Sequence, residues 1–350
     1  MTPRIIKIQL LRWNLPMKQI FITARGQKTE SRNLLVKIRL SDETTGIGEA
    51  SASLAWPDQT QAAMSRALSG LKKDLIGKPI SKYPKLIRNS WKKLSHYPTA
   101  AAALECALRD AFALTNKTSL WKQFGGKKRS VTTALTISAW PTADAARAVR
   151  SAYQRGFRTF KIKLTGRDAD GDLQRIQAVH AAAPRARLWL DANQGFRNAA
   201  ATLAFMKQLD RSWPVDLLEQ PVPKKALTEL KKVTQALKIP VCADESARSA
   251  ADARKIIRKK AASAVCVKLA KSGLSGALEI IAMARKAHLK LMISCMAESA
   301  IGLWPSVALA CGTGAFDFID LDSHLLVKNP GGNPGFKTEG SRLTVLSRNG

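Results

Sequence analysis

Six charged residues recur at steady intervals in the second half of this 350-residue chain. Each ends or follows a short apolar run, and in chain order they are Lys161, Lys163, Asp191, Glu219, Asp244 and Lys268. Three carboxylates that meet at one point repel one another unless a cation lies between them. Oxygen ligands with no histidine or cysteine nearby suit a hard ion, and three carboxylates with open positions suit Mg²⁺ better than Ca²⁺. The three acidic residues therefore predict a magnesium site.

The three lysines predict proton transfer at a carbon atom. Lys161 and Lys163 alternate with apolar neighbours, which is the period of a strand, so both point to one side about 6 to 7 Å apart. We expect Lys268, from a later strand, to face them across the metal. Two bases on opposite faces of one carbon can remove a proton from one side and deliver it to the other, and a dication with neighbouring ammonium groups would lower a lysine pKa from about 10.4 toward neutrality. Coordination of a substrate carboxylate to Mg²⁺ would stabilise the enediolate formed on deprotonation.

The elements that must position these residues form a repeat that begins near residue 130. Strand patterns stand at 131–138, 158–165, 187–191, 215–220, 240–244, 264–269, 289–295 and 316–321. A strand–helix repeat of about 25 residues predicts parallel strands with crossover helices, in a barrel or an open doubly wound sheet. No Gly-x-Gly-x-x-Gly follows the first strand, which disfavours a dinucleotide-binding sheet. Eight strands close naturally into a (β/α)8-type barrel, whose active site lies at the C-terminal strand ends.

The first 125 residues have a different organisation, that of an α+β unit. Strands are predicted first and helices second, at 4–13, 33–41, 58–90 and 98–124. The polar segment 21–31, between the two strands, predicts a mobile loop that carries Arg25 and Lys28.

Five ordered segments at the strand ends carry a family resemblance. They are Phe160-Lys-Ile-Lys, Leu190-Asp-Ala-Asn, Leu217-Leu-Glu-Gln-Pro, Ala243-Asp-Glu-Ser and Val267-Lys-Leu-Ala-Lys-Ser-Gly. These segments resemble the successive strand motifs of the enolase superfamily, muconate-lactonizing-enzyme subgroup, and the resemblance covers nearly the whole chain. It implies an α/β fold, a modified TIM barrel of (β/α)7β type at residues 126–322. An α+β capping domain at residues 1–125 would be rejoined by residues from about 323 to 350.

The same resemblance implies roles for individual residues. Mg²⁺ would be the cofactor, and the three acidic residues named above would be its ligands. Lys163 and Lys268 would be the acid/base pair, with Lys161 as a helper near the substrate carboxylate. Asn193 and Glu245 would support the ligands from behind.

Two further segments resemble those of dipeptide epimerases. Asp320 and Asp322 end the eighth strand, and a similar Asp-x-Asp in those enzymes binds the α-ammonium of the dipeptide. Glu298, in a Cys-Met-x-Glu segment, would frame the substrate or make a structural hydrogen bond. Segment 21–31 resembles the specificity loop of L-Ala-D/L-Glu epimerases, in which a basic residue meets the substrate's side-chain carboxylate. Arg25 and Lys28 both fit that role, and an ordinary exposed position stays open for each.

The motifs together predict a Mg²⁺-dependent dipeptide epimerase that inverts the C-terminal residue by a two-base 1,1-proton transfer. The expected substrate is L-Ala-D/L-Glu or a related dipeptide. The nearest alternative is another activity of the same subgroup, such as muconate cycloisomerase, o-succinylbenzoate synthase or N-succinylamino acid racemase. Those substrates have no free α-ammonium, so they would leave Asp320 and Asp322 without a ligand.

Composition limits the other classes. The 57 Lys and Arg residues against 26 Asp and Glu give a formal net charge of +31, which attracts anions and nucleic acid. The basic residues are spread along predicted helices, with no nucleic-acid-binding motif, so a nucleic-acid-associated non-enzyme is the disfavoured alternative. Five scattered cysteines without Cys-x-x-Cys predict a reducing compartment. We expect a cytoplasmic protein, since neither an export signal nor a long apolar run is present, and a homo-oligomer stays open.

Overall fold

The computed structural model describes residues 2–54, 56–332 and 335–346. Parts of the predicted capping domain and C-terminal segment lie outside the described residues, at 1, 55, 333–334 and 347–350. The strands are β1 (Ile5–Thr23), β2 (Gly26–Leu40), β3 (Thr45–Ala50), β4 (Ser130–Thr132), β5 (Leu135–Ile137), β6 (Thr159–Lys163), β7 (Arg187–Asp191), β8 (Val215–Glu219), β9 (Val241–Ala243), β10 (Ala264–Val267), β11 (Lys290–Ser294), β12 (Phe318–Asp320), β13 (Phe336–Glu339) and β14 (Arg342–Val345).

Helices follow most of the strands. They are α1 (Gln61–Gly70), α2 (Lys72–Leu75), α3 (Tyr83–Lys93), α4 (Pro98–Thr115), α5 (Leu120–Gln123), α6 (Thr142–Gln154), α7 (Ala169–Ala182), α8 (Ala199–Lys207), α9 (Leu227–Ala236), α10 (Ala250–Lys259), α11 (Leu269–Lys286), α12 (Ala300–Thr313) and α13 (Ser323–Leu326), with a 3₁₀ turn at Ile80–Lys82. Within the described ranges, no helix has the length and apolar character needed to cross a bilayer. The predicted helix over 58–90 is broken into shorter pieces, because Gly77 adopts φ +80° and Pro79 follows it.

The N-terminal sheet is antiparallel, in the order β1-β2-β3, and it has its own hydrophobic core. Val36, Ile38 and Leu40 alternate toward that core on β2 and are fully buried. Helix α4 packs tightly against β3. A Cβ atom at Gly48 would lie 2.0 Å from the carbonyl oxygen of Ala103, so only glycine permits this approach.

Residues 21–31 form the end of a long hairpin, so the expectation of a mobile loop is wrong. Strands β1 and β2 stay paired as far as Thr23 and Gly26. The side chain of Ser138, just after β5, fastens this hairpin to the barrel: its Oγ donates to Ile22 O at 2.7 Å and accepts from Ile22 N at 2.5 Å. The segment is polar because it stands over the barrel mouth and not over a core, while the strand ladder satisfies its backbone.

Eight parallel strands form the barrel, in the order β12-β11-β10-β9-β8-β7-β6-β5. Ala134 N donates to Ile319 O at 2.9 Å and so joins the two outer strands. The predicted fold class, a (β/α)7β barrel with an N-terminal α+β unit, is confirmed. A distinct cluster of buried side chains fills the barrel, and we call it the interior layer: Ala134, Trp189, Leu217, Cys242, Ala264, Cys266, Met292 and Phe318.

The strand predicted at 131–138 divides between two sheets. Its first part, β4, pairs with β14 in a three-stranded antiparallel sheet, and its second part, β5, enters the barrel. The side chain of Thr133, at the junction, accepts from Leu321 N at 2.7 Å. Residues after the last barrel strand also return to the N-terminal hairpin, where Lys328 N donates to Pro16 O at 2.8 Å.

Buried polar contacts join the N-terminal unit to the barrel. Glu105 on α4 accepts from both Ser275 N, at 2.8 Å, and Ser275 Oγ, at 2.6 Å. Glu49 on β3 accepts from Ser299 N and Gly302 N at the start of α12, at 3.1 and 3.2 Å. A carboxylate at a helix N-terminus satisfies otherwise unpaired amides, so these contacts fix the two units over one another.

Candidate active site

The C-terminal ends of the barrel strands open into one pocket beneath the β1–β2 hairpin. Ten of the thirteen predicted site residues line it: Arg25, Lys28, Lys161, Lys163, Asn193, Asp244, Glu245, Lys268, Asp320 and Asp322. Asp191 and Glu219 lie beneath the pocket without exposed surface, and Glu298 is buried next to the lining residue Ala297. All the predicted residues therefore meet in one region.

Strand periodicity explains why the charged side chains converge. Asp191 follows Trp189 of the interior layer by two positions, and Glu219 follows Leu217 in the same way. Side chains two apart on a strand point to the same side, so the charged residues stand directly above the apolar filling of the barrel.

The three carboxylates fit a divalent cation. Asp191 and Glu219 are register partners on β7 and β8, and Asp244 directly follows β9. Glu219 Oε1 is buried with no hydrogen-bond partner among the described residues. Burial, together with nearby Asp191, raises the pKa of Glu219 to about 8. An ion bound here would satisfy the unpartnered oxygen and compensate the crowded negative charge.

Lys161 lies among three carboxylates, those of Asp191, Glu219 and Asp320. Its Nζ is 2.5 Å from Asp320 Oδ2, 3.2 Å from Glu219 Oε2 and 3.3 Å from Asp191 Oδ2. Burial alone would lower its pKa, but the three carboxylates outweigh burial and hold the pKa well above the ordinary lysine value. Lys161 is therefore a fixed positive charge in this arrangement.

Lys163 and Lys268 stand on opposite sides of the barrel, on β6 and after β10. Lys163 Nζ donates to Asp191 Oδ2 at 2.5 Å, and Lys268 Nζ donates to Asp244 Oδ2 at 2.7 Å. Burial would lower the pKa of Lys268, but Asp244 holds it well above the ordinary value. The predicted lowering of a lysine pKa toward neutrality required a dication, whose charge would weaken the effect of Asp244 on Lys268.

Asp320 and Asp322 both face the pocket, with different partners. Asp320 Oδ2 accepts from Lys161 Nζ and from Ser294 Oγ, each at 2.5 Å. Asp322 accepts from Thr136, whose backbone N lies 2.6 Å from Asp322 Oδ2. Burial and the neighbouring Asp320 raise the pKa of Asp322 to about 6. Among the described residues, no side-chain cation contacts Asp322 directly, whereas Asp320 contacts Lys161.

The two basic residues of the hairpin differ in their surroundings. Arg25 is exposed at the turn, and no carboxylate in the described part of the chain forms an ion pair with it. Lys28 is partly buried, and its Nζ lies 3.3 Å from Ser31 Oγ. Burial lowers the pKa of Lys28 to about 8, opposed by nearby Glu298. Burial and Glu49 raise the pKa of Glu298 itself to about 8.

Asn193 and Glu245 lie beside the three carboxylates and also line the pocket. Asn193 has a φ of +42° and donates through its backbone N to Asp191 Oδ1 at 3.0 Å. Its Nδ2 lies 3.4 Å from Glu245 Oε1. Burial and nearby Asp244 raise the pKa of Glu245 to about 7.

Three residues that sequence reasoning passed over belong to the same region. Lys271 donates to Asp244 Oδ1 at 2.6 Å and to the carbonyl oxygens of Asp244 and Cys266. Gln220 Oε1 accepts from Asp244 N and Ser246 N, at 2.9 and 3.0 Å. The sulfur of Cys266 and carboxylate oxygens of Glu219 and Asp244 all lie within 4.8 Å of one another. The expectation that no cysteine stands near the carboxylates is therefore wrong, although the alternation of Cys266 with Lys268 was a signal for it.

The fold and the site define the class first: an enzyme built on a (β/α)7β barrel with an N-terminal α+β unit, whose barrel mouth gathers buried lysines and carboxylates. Residues 5–125 match the family described as mandelate racemase / muconate lactonizing enzyme, N-terminal domain. Residues 143–350 match the enolase C-terminal domain-like family. The chain belongs to the mandelate racemase / muconate lactonizing enzyme family of the enolase superfamily, which confirms the resemblance found in the strand motifs.

Relatives within the family are similar to this chain along almost their entire length. An aromatic dipeptide epimerase of Herpetosiphon aurantiacus is 37% identical over 95% of this chain and 93% of the relative. An L-Ala-D/L-Glu epimerase of Thermotoga maritima is 31% identical over 98% of this chain and 99% of the relative. The structure of a dipeptide epimerase from Methylococcus capsulatus, complexed with Mg and L-Arg-D-Lys, aligns with a TM-score of 0.91 and 30% identity, covering 98% of this chain and 97% of that one.

Proposed function

We propose that the protein is a Mg²⁺-dependent dipeptide epimerase that inverts the α-carbon of the C-terminal residue. The observation that carries the proposal is that Lys163 and Lys268 line one pocket, on opposite sides of a group of three buried carboxylates. Asp191, Glu219 and Asp244 would hold the ion, since Glu219 has a free buried oxygen. Bound Mg²⁺ would draw electron density from the substrate carboxylate and so acidify the α-proton.

The two lysines exchange the proton. One of them, in its neutral form, takes the α-proton from one face, while the other, as an ammonium, delivers a proton to the opposite face. Lys161 keeps its charge beside the carboxylates and would neutralise the negative charge that develops on the substrate. In this proposal residues 126–322 form the catalytic barrel and residues 1–125 the cap.

Recognition of the substrate's N-terminus rests on the Asp320 and Asp322 pair. A free α-ammonium supplies three donors, and Asp322 has no side-chain cation in contact with it in the described structure. This favours a dipeptide over a muconate or an N-succinylamino acid, because a substrate without an ammonium would leave the buried Asp322 carboxylate uncompensated, whereas Asp320 already contacts Lys161.

The side chain of the C-terminal residue would lie under the hairpin, near Arg25 and Lys28. Their charge favours an acidic side chain, as in L-Ala-D/L-Glu. A second candidate is an aromatic or aliphatic side chain, because Phe21, Leu54 and Trp56 line the same pocket. The two candidates share the chemistry and differ only in the side-chain subsite.

Deuterium exchange into a dipeptide panel tests the proposal. The protein is incubated in D₂O with Mg²⁺ and dipeptides such as L-Ala-L-Glu and L-Ala-L-Phe, and the α-proton signal of the C-terminal residue is followed by NMR. We expect exchange and epimer formation with free dipeptides, loss of both with a chelator, and neither with N-succinylamino acids. Absence of exchange across the panel, or turnover of a muconate instead, would overturn the proposed function.

A further inference from the structure

Cys266 stands in the interior layer next to two of the acidic residues. Its Sγ and one oxygen each of Glu219 and Asp244 lie within 4.8 Å of one another, and all three residues are buried. Tetrahedral ligands of one Zn²⁺, with bonds of about 2.0 to 2.3 Å, lie about 3.3 to 3.8 Å apart, so atoms already within 4.8 Å of one another need only a small shift to share an ion.

Two further observations indicate that a ligand binds at this position. Glu219 Oε1 is buried without a hydrogen-bond partner in the described structure. Lys271 donates to the carbonyl oxygen of Cys266, and within the described part of the chain no hydrogen bond involves the Cys266 Sγ. The oxygens of Asp244 accept from Lys268 and Lys271, and a carboxylate retains further lone pairs for a metal.

We propose that Glu219, Asp244 and Cys266 form a mixed carboxylate–thiolate site for a soft divalent cation of the Zn²⁺ or Cd²⁺ class. Sulfur is a ligand for such ions and a poor one for Mg²⁺, whereas the carboxylates accept either kind of ion. When the cation binds, the Cys266 S–H bond breaks, its proton passes to solvent water, and a metal–sulfur bond forms without any change of oxidation state.

The site has a consequence for metal selectivity. Glu219 and Asp244 serve both this site and the magnesium site proposed above, so a soft ion that engages Cys266 excludes Mg²⁺ from the same two carboxylates. This consequence rests on the proposed function, while the soft-ion site itself does not.

Ultraviolet absorption of the full chain during titration with Cd²⁺ tests the site without any activity measurement. A thiolate bound to cadmium produces a charge-transfer band, which we expect for the wild type and for the control Cys311→Ser, whose cysteine is buried in α12. The Cys266→Ser variant is expected to lose the band. No band in the wild type, or an unchanged band in Cys266→Ser, would overturn the proposal.

A second measurement covers the case in which Cys266→Ser fails to fold. Zinc K-edge absorption of the wild-type protein is expected to show one sulfur neighbour of the zinc at about 2.3 Å. Zinc bound by oxygen and nitrogen atoms alone would refute the site.

Competition between Cd²⁺ and Mg²⁺ separates the soft-ion site from the proposed magnesium site. A cadmium band that excess Mg²⁺ reduces supports the shared ligands, while a band that Mg²⁺ leaves unchanged supports the soft-ion site and contradicts the proposed magnesium ligands.

Discussion

Lys163 and Asp191 are register partners on neighbouring parallel strands, and Lys163 Nζ donates to Asp191 Oδ2 at 2.5 Å. Lys163, one of the two lysines proposed to move the proton, thus lies beside the first of the three carboxylates. A substrate carboxylate bound near Asp191 would present its α-carbon to Lys163 from this side. Lys268, which contacts Asp244 on the opposite wall, would approach the same carbon from the other face.

Removal of either lysine is expected to stop epimerisation but to leave one-sided exchange. In Lys163→Ala or Lys268→Ala, the remaining lysine can still take a proton and return it on its own face, so deuterium enters only one epimer of the dipeptide. We expect epimer formation to fall by at least about 10²-fold, the lower end of general acid–base contributions. NMR of each epimer in D₂O measures both effects.

Lys290→Ala provides the matched control for these variants. Lys290 begins β11, at the other end of the barrel, where its Nζ lies 5.6 Å from the ring of Phe318. Its removal is expected to leave exchange unchanged. Wild-type-like epimerisation in either Lys163→Ala or Lys268→Ala would contradict the two-base scheme.

Dipeptide affinity is expected to depend on the charge of Asp322. Because its pKa is raised to about 6, the carboxyl group is neutral below that pH and anionic above it. Binding of the substrate ammonium should therefore strengthen as pH rises through about 6 and weaken as pH falls. Calorimetric titration of Lys163→Ala, which binds without turnover, measures the effect.

Asp322→Asn should weaken binding about 10- to 100-fold at neutral pH, in line with about 1.5–3 kcal/mol for a charge-assisted hydrogen bond, and should remove the pH dependence near 6. Asp317→Asn is the control, since Asp317 accepts from the backbone of Leu291 at the opposite end of the strands. An affinity that stays constant from pH 5 to 7.5 in the parent protein would refute the role of Asp322.

Substitution of the hairpin residues should distinguish the side-chain subsites. Arg25 has no acidic partner in the described structure, whereas Lys28 has its pKa lowered to about 8 by burial and lies near Glu298. We therefore expect Arg25→Ala to reduce kcat/KM for L-Ala-L-Glu by about 10-fold or more and to leave L-Ala-L-Phe unaffected. Lys28→Ala should have the smaller effect. Equal reductions of kcat/KM with both dipeptides would indicate a structural role of the hairpin.

Gly273→Ala is expected to destabilise the contact between the two units. Gly273 adopts φ +61° and ψ −173°, which side-chain-bearing residues rarely adopt, and a Cβ there would lie 2.2 Å from Glu105 Oε2. We expect the free energy of unfolding to fall by at least about 2 kcal/mol, measured by urea denaturation.

Gly70→Ala supplies the control for that substitution. Gly70 ends α1, and nothing lies within 4 Å of a Cβ built on it, so alanine should be neutral or slightly stabilising there. If the free energy of unfolding falls no further in Gly273→Ala than in Gly70→Ala, the contact with Glu105 tolerates a side chain at position 273.

The sequence alone predicted the fold class and the placement of the charged residues at the mouth of the barrel. Both follow from local rules: the alternation that puts Lys161 and Lys163 on one side of a strand, and a strand–helix repeat that returns each strand end to the same rim. The family motifs extended this to the Asp320 and Asp322 pair, which does line the pocket.

Only the tertiary structure decided which buried polar groups face one another. The contact of Lys271 with Asp244, the approach of Cys266 to Glu219, and the hold of Ser138 on the hairpin each join residues far apart in the chain. Local periodicity places a side chain inward but does not select its partner, because that choice depends on barrel closure and on the need of every desolvated polar atom for a neighbour. The long-range pairing of β1 with β2 made segment 21–31 a hairpin, although its polar composition suggested a loop.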